Sequence, residues 1–367
     1  MKWVLVGLVA LHGLIHLLGC LAAFRLIELR GLAQPIARPL GILWLVAGGA
    51  MLVAALLIPI SRVWWAVALP AVVLSQVAIV ISWSDAKWGT VANLIVLGAA
   101  LYALASAGPP SFEAVYRAQV RERLEGNVAM PAAADADLAR VPETARRYLR
   151  FAGALDKPPV HHVRASWRGR IRAGAGEPWM PFSAEQHDFP AEPARFFLMR
   201  ARRSGLPLDV LHELVGSSAR MRVRLLSMIP IVDAGGPQLD RAEAVTLLND
   251  LCLLAPSALA GPRVSWERRD ERSALVRYTL GANTVGAVLS FDAEGRLVDF
   301  VSDDRLRASP DGRSFVPQRW STPVAEYVDF DGRRAATRGE GRWHAPEGEL
   351  TYLELELVDL QVNGGPP

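Results

Sequence analysis

Residues 163–172 read VRASWRGRIR, and within them Val163, Ala165, Trp167, Gly169 and Ile171 alternate with Arg164, Ser166, Arg168, Arg170 and Arg172. Strand side chains point to opposite faces with a period of two, so this run dictates a strand with one apolar and one basic face. Downstream the alternation recurs at 180–189, 194–203, 208–215 and 219–226. After a break it resumes at 263–269, 273–282, 285–292, 297–303, 314–321, 324–330, 334–343 and 349–360. The break is a predicted helix, Leu239–Leu254, with Leu247, Leu248, Leu251 and Leu254 as its apolar stripe. Asp331-Gly332 is hairpin-turn chemistry, and Asp292-Ala293-Glu294-Gly295 is a further turn. Successive strands without βαβ alternation predict a mainly-β domain built on one curved antiparallel sheet or half-barrel with one or two helices.

Upstream of Pro158-Pro159 the period is helical. Four apolar runs, Trp3–Phe24, Leu40–Ile60, Val63–Trp83 and Thr90–Ala107, are each close to the ~20 residues that cross a bilayer. They predict an α-helical four-span membrane domain over 1–108. Trp64, Trp65, Trp83 and Trp88 stand where an interfacial aromatic belt would place them. Leu17-Leu18-Gly19-Cys20 resembles a lipoprotein cleavage box, but the single Lys2 and the polar His12 and His16 argue for a retained span. Pro109-Pro110 ends the fourth run. Residues 109–137 then read as a charged surface helix (111–125) and a linker (Asn127 to Asp137), ahead of a β-rich domain over 138–367. A short helix opens that domain, with Val141, Ala145, Tyr148 and Leu149 on one face.

Charge is unevenly placed. Residues 1–110 hold six basic residues and two acidic ones, which exceeds the whole-chain surplus of +3 and leaves the remainder with one net negative charge. The sequence pI of 9.1 therefore does not argue for a nucleic-acid partner. Cys20 lies in the first run and Cys252 in the later helix, so no disulfide staples the C-terminal domain. On positive-inside grounds the connections carry Arg25, Arg30, Arg38 and Lys87. The terminal side carries Lys2 and Arg62, with Arg117, Arg121 and Arg123 beyond the last run. The balance is close; long domains translocate regardless of charge, and the reading is an extracytoplasmic C-terminal domain on a multi-pass protein of the bacterial cytoplasmic membrane.

Polar groups inside apolar runs need partners, because hydrocarbon supplies none. His12 and His16 share a helical face, and Ser75, Gln76 and Asn93 are placed to meet them as a hydrogen-bonded seam. The alternative is a membrane redox or metal site on His12 and His16. Asp85 and Lys87, in the turn Trp83-Ser84-Asp85-Ala86-Lys87-Trp88-Gly89, read as a charged hairpin cap.

His12-Gly13-Leu14-Ile15-His16-Leu17-Leu18-Gly19 and Trp83-Ser84-Asp85-Ala86-Lys87-Trp88-Gly89-Thr90, with Ala92-Asn93, resemble the hallmarks of an uncharacterised bacterial family. Its members join four membrane helices to a C-terminal soluble domain of unknown function. Val141-Pro142-Glu143, Arg147-Tyr148-Leu149, Phe291 to Gly295 and Arg319-Trp320 are similar to its later landmarks. The family pattern has Phe at Cys20 and Glu at Asp250. The strand order also resembles lipoprotein-carrier half-barrels, in which a curled sheet wraps helices around an apolar cavity.

No catalytic, cofactor or metal signature is present in the sequence. His161, His162, His187, His212 and His344 lack ligand spacing, and Gly216-Ser217-Ser218 lacks the nucleophile elbow. Arg168, Arg170, Arg222 and Arg224 form stripes that either face an anionic head group or pair across strands with acids such as Glu354 and Glu356. Asp303-Asp304 and Glu185/Asp188 read as solvated strand ends. The expectation is a binding module whose partners are the lipid bilayer and a lipid or other apolar ligand held in the curved sheet; a scaffold without a small ligand is the remaining alternative.

Overall fold

The computed structural model describes residues 2–29, 32–126, 135–155 and 157–364. Most of the expected linker, residues 127–134, and Arg30 lie outside the described residues. Two compact units meet at Val115/Tyr116.

The first unit contains α1 (Lys2–Ala23), α2 (Arg38–Leu57), α3 (Trp65–Ile81), the short α4 (Trp83–Ala86) and α5 (Gly89–Ala107). Three stretches are long and apolar enough to cross a membrane: α1, α2 and the helical run that starts at Gly89. α3 is equally apolar but has 17 residues. Leu11, Leu14, Leu56, Val73 and Leu94 are all exposed on the outside of these helices, an apolar surface that water would penalise. Ala47, Met51, Ala54, Ala68, Ala71, Val96 and Ala100 are buried between the helices. Small residues there let backbones approach closely.

The second unit begins within α6 (Phe112–Glu125). The expectation of a surface helix holds for one face only. Tyr116 and Val120, four apart, are buried, and Tyr116 packs edge-on against His187. α7 (Asp135–Ala139) and α8 (Glu143–Phe151) follow, and α8 buries Ala145, Tyr148 and Leu149.

Six strands come next: β1 (Val163–Ile171), β2 (Met180–Phe189), β3 (Ala194–Arg203), β4 (Leu206–Val215), β5 (Ser218–Leu225) and β6 (Ile229–Gly235). α9 (Pro237–Leu254) then leads to β7 (Val264–Arg268), β8 (Ser273–Leu280), β9 (Asn283–Phe291) and β10 (Leu297–Ser302). The chain finishes with β11 (Leu306–Ala308), β12 (Phe315–Pro317), β13 (Trp320–Ser321), β14 (Val324–Phe330), β15 (Arg333–Ala345) and β16 (Gly348–Val362). One antiparallel sheet runs β6-β5-β4-β3-β2-β1-β16-β15-β13-β10-β9-β8-β7, with β14 on β15; β11 and β12 form a separate ribbon.

The sheet is open, with β6 and β7 as its ends in the strand path. In sequence these two strands are joined by α9. The helix touches β5 and β6 near one end, β8 and β9 near the other, and β15 between them. A sheet whose two ends and middle all reach one helix is curled around it, which is the half-barrel the strand order predicts. α9 starts with Pro at its first position after Gly236, a placement that costs no hydrogen bond. It is buried on every side, including Glu243, Asn249 and Asp250.

Two expectations need correction. The single strand at 314–321 is two pieces, β12 and β13, split by Gln318 and Arg319, and β12 leaves the main sheet to pair with β11. β6 and β11 were not foreseen, because Ile229–Gly235 contains Pro230 and Leu306–Ala308 spans only three residues. The Asp331-Gly332 turn has positive φ at both residues (55° and 77°), as the favoured two-residue hairpin requires.

Candidate functional site

A cavity of about 570 Å³ lies inside the second unit. Alternation on β2 and β3 turns Phe182, Phe197 and Met199 into it, and β1 adds Trp167. α9 presents Leu239, Glu243, Thr246, Asn249, Asp250 and Leu253, residues that fall on one helical face. The β11–β12 ribbon contributes Leu306 and Phe315. Trp320, Trp343 and Tyr352 complete an aromatic wall, with Trp343 stacked on Tyr352 at 5.6 Å and 6.5 Å from Trp320.

One part of this apolar chamber is charged. Arg195 Nε donates to Asp250 Oδ2 at 2.6 Å, and its guanidinium covers the Phe197 ring at 4.9 Å. Gln186 Nε2 donates to both Asp250 and Asp188 at 2.8 Å, while its oxygen accepts from Trp167 Nε1 at 3.0 Å. Glu243 stands between Arg195 (3.5 Å), Arg305 (3.4 Å) and His212 (3.7 Å). Thr322 Oγ1 donates to Asn249 Oδ1 at 2.6 Å.

Burial and the neighbouring charges divide these acids. Burial favours a proton on Glu243, but His212, Arg305 and Arg195 together hold its carboxyl well below the usual range. Asp188 goes the other way: burial, then the charge of Asp250, push it well above the carboxylate range. Asp250 is also raised, because burial outweighs the pull of Arg195. Burial works against the charge of Arg195, yet Asp250, Glu243 and Asp188 raise it further.

The opposite face of β2 carries a second buried group. His162 Nε2 and His187 Nδ1 are 2.7 Å apart, their rings stacked. Burial, then His187, bring His162 down to about 4. Glu185 bonds Arg164 at 3.0 Å and lies 3.6 Å from His187. Asp188 is 1% exposed and Glu185 is half-buried, so the solvated reading of that pair is overturned: α9 covers the one and α6 lies beside the other's strand. Asp303 is an exposed partner of Arg319, whereas Asp304 is half-buried against Arg241 and the Gly286 N–H.

In the first unit His12, His16, Gln76 and Asn93 come together with Ser75 and Thr90. His12 Nε2 meets Asn93 Oδ1 at 2.9 Å, and His16 Nε2 meets Ser75 Oγ at 2.7 Å. Ser75 donates to Asn93 Oδ1, Asn93 to Gln76 Oε1, and Gln76 to Thr90 Oγ1. The second nitrogen of His16 bonds the His12 carbonyl. Among the described residues no three His, Cys, Asp or Glu side chains are grouped to hold a metal. Asp85 and Lys87 are exposed, and Asp85 caps the Ala33 N–H at 3.0 Å.

The arginine stripes do not converge. Arg168 and Arg170 lie on β1, and Arg222 and Arg224 on β5, with three strands between them. Arg170 makes a two-pronged pair with Glu354, and Arg222 bonds Glu213 at 2.7 Å. Arg168 stands opposite Glu356 in register, and Arg224 opposite Asp209. None of the four lines the cavity. Of the residues that form its charged part, Gln186, Arg195, Glu243, Arg305 and Arg307 carry no sequence signal of their own, and His212 is read from sequence only as lacking ligand spacing.

Residues 131–355 match a family described as a family of unknown function (DUF6544). That span is more than half of the 367 residues. The chain belongs to DUF6544. The match takes in every described strand from β1 to β15, α9, and all the residues named around the cavity. No curated protein matches the chain. Among solved structures it is similar to a LolA superfamily protein from Nitrosomonas europaea, at 14% identity over 60% of this chain and 94% of that one, with a TM-score of 0.34. It is also similar to a DUF1329 family protein from Desulfovibrio piger, at 13% identity over 62% and 94%, with a TM-score of 0.35. Similarities this loose carry no weight for ligand or activity.

Proposed function

We propose that this DUF6544 protein is a membrane-anchored binding module that holds an apolar or amphipathic small molecule, lipids included, inside its curled sheet. The observation that carries this reading is the cavity. Its volume of about 570 Å³ falls in the range of small-molecule sites, which are apolar with a few placed polar groups. A chamber lined by Trp, Phe, Met and Leu side chains favours a ligand that brings apolar surface out of water. The apolar helices of the first unit support membrane anchoring, and the bacterial cytoplasmic membrane with an extracytoplasmic sheet domain is the placement proposed.

The test is native mass spectrometry of the full chain, extracted from its membrane into amphipol. An adduct in the small-amphiphile mass range is expected. It should disappear in Met199→Trp, which places a larger ring on β3 where Met199 lines the chamber. An unaltered chain that carries no adduct, and that binds no added lipid, sinks the reading.

A further inference from the structure

Three guanidiniums, Arg195, Arg305 and Arg307, line the charged part of the cavity beside two carboxylates, Glu243 and Asp250. Asp250 is committed to Arg195 at 2.6 Å. Glu243 is shared among Arg195, Arg305 and His212, and approaches none of them closer than 3.4 Å. Asp188, behind Gln186, is held towards its neutral form by burial. The Arg307 charge is left without a described carboxylate, whereas Arg338 on the same lining pairs with Glu326 at 2.7 Å and Glu340 pairs with Arg342 at 2.8 Å.

That charge has a place. Arg307 lies on β11 and Arg305 directly before it, and both line the cavity. Arg305 lies over Trp320 at 5.3 Å and Arg307 over Trp343 at 5.8 Å, and the two indoles stand 6.5 Å apart. The forks are thus held side by side over adjacent rings. Arg305 gives Nη1 to the Ala242 carbonyl and faces Glu243 at 3.4 Å, and its buried Nε has no hydrogen-bond partner among the described residues. Arg307 contacts the Gln318 amide oxygen at 3.4 Å and no described carboxylate. Stacked guanidiniums with unused donors suit carboxylate or phosphate oxygens.

We propose that the cavity takes a single-chain amphiphile with an anionic head, the head docking on Arg305 and Arg307 and the chain lying along the apolar wall. This rests on the cavity being a ligand site at all. Size favours one chain: about 570 Å³ lies within the ~300–1,000 Å³ of small-molecule sites. Carboxylate and phosphate heads share the chemistry, and the experiment separates them.

Full-length protein in amphipol is titrated with palmitate, hexadecyl phosphate, hexadecanol and dipalmitoyl phosphatidate. At least one acid is expected to bind about tenfold or more tightly than hexadecanol, the margin of a charge-assisted hydrogen bond to a buried partner. The tighter acid names the head. Arg307→Gln should remove that margin, lowering the affinity of the acids more than that of hexadecanol, while Arg307→Lys keeps part of it. Hexadecanol binding as well as both acids overturns the anionic head. Equal loss for acid and alcohol in Arg307→Gln overturns its location. Displacement of palmitate by equimolar dipalmitoyl phosphatidate overturns the single chain. If none of the four binds, the cavity reading falls together with this one. The acid–alcohol comparison needs no variant, so a misfolded Arg307→Gln still leaves the test decisive.

Discussion

His162 shows what one buried side chain does to stability. It is 1% exposed, faces His187 at 2.7 Å, and has Arg164 and His161 nearby as further positive or ionisable groups. A hydrogen bond with the Gly364 backbone offsets part of this. Burial, then His187, lower its pKa from 6.5 to about 4. As pH falls through 6.5 the unfolded chain takes up a proton that the folded chain refuses until about 4. The stability contribution is complete above 6.5, declines between 6.5 and about 4, and levels off below, by up to about 3 kcal/mol. His162→Gln should lower stability at pH 7.5 yet flatten the fall in unfolding midpoint between pH 6.5 and 4. Equal slopes in variant and parent would remove His162 as the cause. Neither this pair nor the charged pole of the cavity was legible in sequence. His162 and His187 are 25 residues apart, and Arg195 is 55 from Asp250. Such partners meet only through strand register. The legible sign was Glu243 and Asp250, two turns apart and among the leucines of a helix that is buried on every side.

Elements were easier to read than sites, because periodicity is local and pairing is not. β1, β2, β3 and β14 lie where alternation puts them, and α9 gains only Pro237 and Gln238 at its start. Alternation failed where a strand is too short for a period to show, as in β11, or carries Pro, as in β6. The small ribbon that failure concealed is the one that brings Arg305 and Arg307 to the cavity. Helix packing in the first unit gives a sharper element-scale test. A Cβ added at Gly48 of α2 would stand 2.8 Å from the Gly13 carbonyl of α1 and 3.0 Å from His16 Cβ. Its neighbour Gly49 has nothing within 4 Å. Gly48→Val should therefore push α1 from α2 and cost about 1–3 kcal/mol, read as a lower thermal midpoint in detergent. Gly49→Val, with the same change in composition and propensity, should stay within about 0.5 kcal/mol of the parent. If the two variants melt alike, close glycine contact is not what joins these helices.

At the scale of the whole molecule, the open question is how many of the apolar helices cross. Three stretches have spanning length and α3 has 17 residues, about 25 Å of helix against a hydrocarbon core of ~30 Å. The deficit is small, and membranes absorb mismatch by thinning at fractions of a kcal/mol per Å. Trp64 and Trp65 at one end of α3, and Trp83 beyond the other, are the side chains that anchor a short span at both interfaces. Ser75 adds a second argument. It is fully buried and bonds His16 and Asn93, so α3 packs at the same depth as α1 and α5 rather than lying across them. We predict that α3 is a fourth span, and an even number of spans puts both termini on one side. Reporter fusions at the N- and C-termini should agree on sidedness, and the C-terminal one should be active only as an enzyme that works outside the cytoplasm. Opposite sides for the two termini would reduce the spans to three. Agreement on the cytoplasmic side would keep four spans, and would give Arg117, Arg121 and Arg123 beyond α5 the decisive weight over Arg25, Arg38 and Lys87.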